Sequence, residues 1–361
     1  MKILIVCSQF ETGGATRVAT VMCNGFWGKG IEVIVVADCT YSRLTYPLNP
    51  EIPILPLFNH KNRTGRGNRL VSSLEAVLNI RGYIKEYKPN VIIAVEAYMY
   101  IRVCLANFLL KYPVIVADHT SFDRDMDWLI NLTRRHLYKY ADGLSILTEK
   151  DKRKLGDKFP QKEVIYNPLP FPPLDCLTSR RKNILCVGRL DVWRLKGFDT
   201  MVELWSQIAE KFPNWTLEIA GSGAQDSVAY IENMIYKHNL YGRVKLLGNV
   251  KDMRKLYQET SIFALPSRVE GFPMVLLEAL SQGCACIAFA IQGATNEMIE
   301  TGAGLVIEDG DIEAFKNNLV ELMNNEEKRD DLSKKAIESV RKFSQESFIN
   351  HWVNYITKVL S

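Results

Sequence analysis

The chain has 361 residues, too many for one small core, so two domains of ordinary size are expected. Apolar content of 47% and charged content of 24% are those of a soluble globular protein, which argues against a disordered or fibrous chain. The formal charge of +4 is too mild to mark a nucleic-acid binder, and none is expected as a partner.

The chain opens with "MKILIVCSQFETGG". One lysine, a short apolar run and then polar turn residues read as a first strand; a signal peptide needs a longer apolar region and a small-residue cleavage site. Further strands are expected at "EVIVVAD", "VIIAVE", "VIVADH", "GLSILT" and "EVIYN". Helical patterns lie between the strands, including Arg17–Trp27 and Arg69–Tyr87. The stretch "NPLPFPPLDCLTSRRK", with Asn167, Pro168, Pro170, Pro172 and Pro173, is a stiff non-helical connector. A second series follows: "NILCVG", "TLEIAG", "VKLLGN", "IFALPS" and "CACIAFA", with a helix at Thr200–Lys211. Continuous apolar strands separated by helices imply parallel sheets covered on both faces. The expected fold is α/β, with two Rossmann-like domains facing across a cleft. The last segment, "SQESFINHWVNYITKVLS", repeats Phe348, Trp352, Tyr355 and Ile356 at helical spacing. The expected boundaries are 1–168, 169–343 and a final helix 344–361. No apolar segment reaches the ~20 residues that span a bilayer, so any membrane contact is expected to be peripheral. The eight cysteines show no paired CxxC spacing, and Cys7 and Cys186 fall in strand runs. That predicts reduced thiols in a cytoplasmic protein, without a disulfide frame or zinc site.

Ligands of open α/β sheets sit at the carboxyl ends of the strands, so the loops there are the candidate sites. After the first strand, Gly13 and Gly14 allow a tight turn and close approach of the backbone to a ligand. The following helix would point its N–H groups at that spot, although a plain turn explains the pair equally well. In "GRLDVWRLKGFD", Gly188 is followed by Arg189, Arg194 and Lys196. Such cations suit a diphosphate, and a solvated charged loop is the simpler alternative. "EIAGSGAQ" sets Gly221 and Gly223 after another strand.

The stretch "RVEGFPMVLLEAL" brackets seven uncharged residues with Glu270 and Glu278. Pro273 suits the first turn of a helix, where its missing N–H costs nothing. Met274 and Val275 would then present free N–H groups, an anion site at the helix start. Two carboxylates beside it suit the vicinal hydroxyls of a sugar and a ribose. The alternative is that Glu270 caps the helix and Glu278 is a surface charge.

Seven motifs in order give these residues a context: "TGGA", "ADHTS" at 117–121, "VIYNPL" at 164–169, "VGRL…KGFD" at 187–199, "IAGSG" at 219–223, "VKLLGNV" at 244–250 and "SRVEGFPMVLLEAL" at 267–280. Over nearly its whole length the chain resembles the retaining GT-B-fold glycosyltransferases of family four. The resemblance implies that Glu278 holds the nucleotide ribose, Glu270 the donor sugar, and Arg189 and Lys196 the diphosphate. It implies that Gly14 lies by the donor phosphate and sugar, that His119 faces the reacting sugar, and that Asn249 and Val250 flank the base. Gly13, Gly188, Gly221, Gly223, Gly271, Phe272, Met274 and Val275 complete the implied donor site. Glu270, His119, Arg189 and Lys196 are the implied catalytic group. The final helix is implied to cross back onto the first domain. The Leu190-to-Lys196 spacing is longer than the common family pattern, which keeps Arg194 open as a rival phosphate ligand. In "FDRDMDW", Asp123, Asp125 and Asp127 alternate as in a metal motif. They lie away from the phosphate cations and are read as a polar loop or an acceptor-side feature, so no metal is expected.

The implied reaction is retaining transfer of a hexose or N-acetylhexosamine from a nucleoside-diphosphate donor, UDP favoured, with no separate cofactor. Charge on the leaving diphosphate is met by fixed cations and a helix start, and domain closure excludes water. The implied acceptor is a glycan or an undecaprenyl-diphosphate-linked glycan. A sugar-nucleotide epimerase and a non-enzymatic sugar-binding protein are the alternatives. Lys61, Arg63, Arg66 and Arg69 form a basic run without acidic residues, and "NLTRRHLYKY" adds Arg134, Arg135 and Lys139. A solvated loop, a site for anionic lipid on the inner face of the cytoplasmic membrane, or a grip on the diphosphate of a lipid-linked acceptor accounts for them.

Overall fold

The computed structural model describes residues 1–8, 10, 14–39, 44–58, 69–122, 126–159, 161–291, 294–299 and 302–361. Gly13, Lys61, Arg63, Arg66, Asp123 and Asp125 lie outside them, as does the side chain of Arg69. The chain divides into two compact units, one of Met1–Pro170 with Gln345–Ser361, the other of Phe171–Ser344.

The first unit carries β1 (Lys2–Val6), β2 (Glu32–Ala37), β3 (Ile54–Pro56), β4 (Val91–Val95), β5 (Val114–Ala117), β6 (Gly143–Ile146) and β7 (Lys162–Val164). All pair in parallel, in the order β3-β2-β1-β4-β5-β6-β7. The second carries β8 (Arg181–Val187), β9 (Thr216–Ala220), β10 (Val244–Gly248), β11 (Thr260–Leu265), β12 (Ala285–Phe289) and β13 (Leu305–Ile307), in the order β10-β9-β8-β11-β12-β13. Strands such as VIIAV, VIVA and ACIAF are buried at every residue, as expected of parallel strands covered on both faces. Both orders run outward in two directions from a first strand, the doubly wound plan. In the first unit the direction reverses between β1 and β4; in the second, between β8 and β11.

The final helix, Gln345–Leu360, belongs to the first unit. Trp352, Tyr355 and Ile356 are buried there. The Tyr355 hydroxyl accepts from Leu144 N–H at 2.6 Å and donates to the Gln161 carbonyl. A Cβ at Gly25 would lie 2.3 Å from Ile349, so the helix Gly14–Gly28 and the final helix touch where only a bare backbone fits. The sequence reading misses β3 and β13, which are three residues each, too short for an alternating or apolar run to stand out. It also reads the Leu190–Lys196 stretch as loop, where two short helical turns stand, Leu190–Val192 and Trp193–Lys196.

Candidate donor site at the strand ends of the second unit

The loops after β8, β9, β10 and β11 meet at one edge of the second sheet. The main chain binds them together: Gly188 N–H donates to Ala220 O at 3.0 Å, Leu190 N–H to Ser222 O at 2.9 Å, and Gly221 N–H to Gly248 O at 2.8 Å. Their glycines are required by this packing. A Cβ on Gly221, whose φ is +144°, would fall 1.8 Å from Gly188 O, and one on Gly223 would fall 2.8 Å from Leu190 Cβ. The Asp191 carboxylate accepts from Ala224 N–H at 2.6 Å. Trp193 stacks on Tyr230, with ring centroids 4.1 Å apart. Asn249 is exposed and Val250 half-buried at the end of β10.

At the reversal point between β8 and β11 two loops cross. Gly197, at φ +68°, turns the chain against Pro266, whose carbonyl oxygen would lie 2.0 Å from any Cβ there. Arg268 N–H donates to Leu195 O at 2.8 Å. The Arg268 guanidinium binds both Asp199 oxygens at 2.9 and 3.1 Å, the Thr200 hydroxyl at 2.8 Å, and the Arg194 carbonyl. That clamp fixes two of the predicted site residues, Lys196 and Glu270, against each other. Lys196 Nζ donates to Glu270 Oε1 at 2.6 Å, and Ser267 Oγ donates to the same oxygen at 2.9 Å. Both members of the ion pair are largely shielded, with 21% and 12% of their side chains exposed. Arg189 is exposed on the same loop, and its guanidinium has no hydrogen-bond partner among the described residues. Arg194, the rival phosphate ligand, is exposed too.

The helix Met274–Ser281 starts one residue after Pro273, which is therefore its N-cap and not a residue of its first turn. No side chain caps it, and the first turn closes with Leu276 N–H and Leu277 N–H donating to Pro273 O at 2.9 and 3.3 Å. Among the described residues, Met274 N–H and Val275 N–H are left without a partner, as an anion site requires. Glu278 is no surface charge: it is 6% exposed, and the Tyr257 hydroxyl donates to its Oε2 at 2.9 Å. Glu270 is no helix cap, since its carboxylate is taken by Lys196 and Ser267. The Phe272 side chain turns into the core, 6.0 Å edge-on from Phe343, which leaves its main chain and that of Gly271 to line the loop.

In the first unit, Gly14 opens the helix after β1 and His119 follows β5. Burial pushes the His119 ring below its ordinary pKa of 6.5, against opposing pulls from Asp118 and Asn167, so the ring is neutral at neutral pH. Its Nδ1 is buried without a hydrogen-bond partner among the described residues. Asp118 beside it is bound by Arg134 through two bonds of 2.9 and 2.8 Å and by the Tyr138 hydroxyl at 2.8 Å. Arg134 is thereby removed from the basic surface to which the sequence reading assigns it; Arg135 and Lys139 remain exposed. Asp127 caps the helix Trp128–Leu132, accepting from Leu129 and Ile130 N–H. Among the described residues no three His, Cys, Asp or Glu side chains are grouped to hold a metal ion.

Sequence reasoning passed over Arg268, Ser267, Tyr257 and Asp191. Arg268 and Ser267 flank the Glu270 motif and were in view. Tyr257 lies 21 residues before Glu278, and no local pattern ties it to that carboxylate.

Two family models match most of the chain: glycosyltransferase family 4 over residues 12–170 and glycosyl transferases group 1 over residues 177–339. An uncharacterized glycosyltransferase of Haemophilus influenzae is 28% identical, covering 95% of this chain and 96% of its own. A Campylobacter jejuni enzyme named as an α-1,4-N-acetyl-D-galactosaminyltransferase acting on a GalNAc-containing, diNAcBac-PP-undecaprenol-linked glycan is 26% identical, over 99% of both. Among solved structures, Anabaena Alr3699/HepE in complex with UDP superposes with a TM-score of 0.82 at 18% identity, over 99% of this chain and 100% of that one, which shows the shared fold. With both units matched, and with the GT-B pair of Rossmann-like units that the family uses, the chain belongs to the family-four, group 1 glycosyltransferases.

Proposed function

We propose that the protein moves a hexose or N-acetylhexosamine, with retention of configuration, from a UDP-sugar to a hydroxyl of a lipid-diphosphate-linked or polysaccharide glycan. The observation that carries the reading is the 2.6 Å Lys196–Glu270 pair beside the uncapped start of the helix Met274–Ser281. Lys196, Arg189 and the Met274 and Val275 N–H groups are the donors to the diphosphate. Their charge and dipoles are fixed before bond cleavage, so they stabilise the leaving group without reorganising. Glu278, oriented by Tyr257, accepts from the ribose hydroxyls. Glu270 accepts from a donor-sugar hydroxyl. His119, neutral, hydrogen-bonds the sugar and does not supply a charge. As the sugar–phosphate bond breaks, the acceptor hydroxyl adds to the same face of the anomeric carbon and its proton passes to the leaving phosphate. The Campylobacter relative's named substrate supports a lipid-linked acceptor, and the UDP complex of the Anabaena structure supports UDP. The test is incubation with UDP-glucose, UDP-galactose, UDP-GlcNAc and UDP-GalNAc, with and without EDTA, and NMR of the anomeric proton formed. Transfer with an α linkage that survives EDTA supports the reading. A β product or restoration only by added magnesium or manganese contradicts retention or metal independence, and epimerised donor contradicts transfer itself.

The acceptor reading is supported by an exposed apolar face of the first unit. The helix Arg69–Tyr87 buries Ala76, Ile80 and Ile84 but exposes Leu74 and Leu78, 61% and 59% accessible. Arg81 donates to the carbonyls of Ala106 and Phe108, both at 2.8 Å, which ties this helix to the exposed Leu105, Phe108 and Leu109. Lys111 is exposed close by in sequence. Exposed apolar side chains beside a cation suit the headgroup region of an anionic bilayer. The proposed association is peripheral, on the cytoplasmic face; no helix among the described residues is long and apolar enough to cross a membrane.

A further inference from the structure

Glu96 follows β4 immediately and stands at the reversal point of the first sheet, between the loop after β1 and His119 after β5. Its backbone is at φ +70°, ψ 160°, a region that in practice only glycine occupies. The main chain is held there: Glu96 N–H donates to Ala117 O at 3.0 Å, and its carbonyl accepts from Tyr100 N–H at 3.1 Å. The side chain, by contrast, makes no bond that holds this turn in place. The residue sits at the N-cap of the helix Ala97–Asn107, but its carboxylate makes no capping bond. Among the described residues it has no hydrogen-bond or ion-pair partner. Arg134, the cation of the neighbourhood, is already bound to both oxygens of Asp118. Glu96 is half-buried. Burial first, and the Asp118 charge next, raise its pKa, with Arg134 opposing, so the carboxylate is held at some cost. Glycine at this position would relieve the backbone, and an apolar residue would relieve the desolvation. A strained and partly desolvated carboxylate, without a protein partner among the described residues, is placed for a ligand at the reversal point of a parallel sheet.

We propose that Glu96 binds a hydroxyl of the acceptor sugar and orients it for transfer. The inference rests on the glycosyltransferase reading, in which the first unit serves the acceptor. A pyranose hydroxyl donates well to a carboxylate, and Glu96 stands on the same edge of the sheet as His119. The occupant is thus a neutral polyhydroxylated ring. A diphosphate would be repelled by the Glu96 charge, which no cation among the described residues pairs.

The test uses full-length protein, UDP for binding, the donor found active in the UDP-sugar panel, and p-nitrophenyl α-hexosides or the matching N-acetylhexosaminides as acceptors. Glu96→Gln and Glu96→Gly are compared with wild type. The expected result is an acceptor KM raised about 10- to 100-fold, the scale of a hydrogen bond to a charged group, with the Kd for UDP within twofold of wild type. Glu96→Gly is also expected to melt no lower than wild type, because losing the strained conformation offsets the added freedom of glycine. Unchanged acceptor KM in both variants overturns the proposal while leaving the transferase reading standing. A melting point lowered by several degrees in Glu96→Gly, with UDP affinity falling and acceptor KM rising together, shows a structural carboxylate and also overturns it. Failure of wild type to bind UDP or to use any donor defeats the underlying reading instead.

Discussion

The Lys196 ammonium lies 2.6 Å from Glu270 and is mostly shielded from water, where an electrostatic contact counts for more than at an open surface. Arg189 is exposed and adds charge without a competing partner among the described residues. Replacing either by Ala should lower turnover by roughly 10²–10³, the scale for one transition-state partner; near wild-type steady-state rates in both would exclude them as diphosphate ligands and bring Arg194 forward. His119 gives a second prediction, in pH. Burial depresses its pKa below 6.5, so the folded protein resists a proton that the unfolded chain accepts. Its contribution to stability is therefore complete above about pH 6.5 and is lost as the pH falls toward the lower folded value. The melting temperature of wild type should drop more steeply than that of His119→Gln between about pH 7 and pH 5.5. Parallel curves would show that the ring titrates alike in both states.

At the scale of elements, the donor loops are built by glycines that admit a neighbouring carbonyl. Gly221→Ala places a methyl 1.8 Å from Gly188 O at a φ of +144° and should cost about 2–4 kcal/mol in denaturant unfolding. Gly242→Ala, at φ +71° with open space around the new Cβ, should cost only about 1–2 kcal/mol. Equal losses would mean that the loop after β9 shifts freely. Much of this scale was legible in the sequence. Long apolar runs such as "VIIAV" and "CACIAFA" can only be covered strands, and the glycines and cations after them mark the loops. Less legible was what joins the loops. The Arg268 clamp on Asp199, the Tyr257 bond to Glu278 and the Asp118–Arg134 pair link residues 69, 21 and 16 positions apart, and side-chain pairing at such distances follows from the sheet order. Glu96 was invisible for a different reason: its mark is a backbone angle, and glutamate after an apolar strand is unremarkable as sequence.

At the scale of the molecule, the chain forms the first unit, then the second, and returns to complete the first with Gln345–Ser361. Each unit is a doubly wound sheet whose reversal point carries a carboxylate-bearing loop, Glu96 in one and Glu270 in the other. The division of labour proposed here gives the second unit the nucleotide and the first the acceptor with its membrane. The exposed leucines Leu74 and Leu78 and the Phe108 ring should therefore matter for vesicle binding and not for UDP binding. In flotation with phosphatidylglycerol-containing vesicles, wild type should rise with the lipid and a Leu74→Ser, Leu78→Ser, Phe108→Ser variant should stay behind; equal flotation of the two would remove this face from membrane docking. The donor site itself is tested most directly by calorimetric titration of UDP into wild type, Glu278→Gln and Glu270→Gln. The expected result is saturable binding to wild type, affinity lowered about tenfold or more in Glu278→Gln through loss of the ribose contact, and affinity nearly unchanged in Glu270→Gln. No binding to wild type, or equal losses in both variants, would contradict a donor site in which the buried glutamate holds the nucleotide and the lysine-paired one holds the sugar.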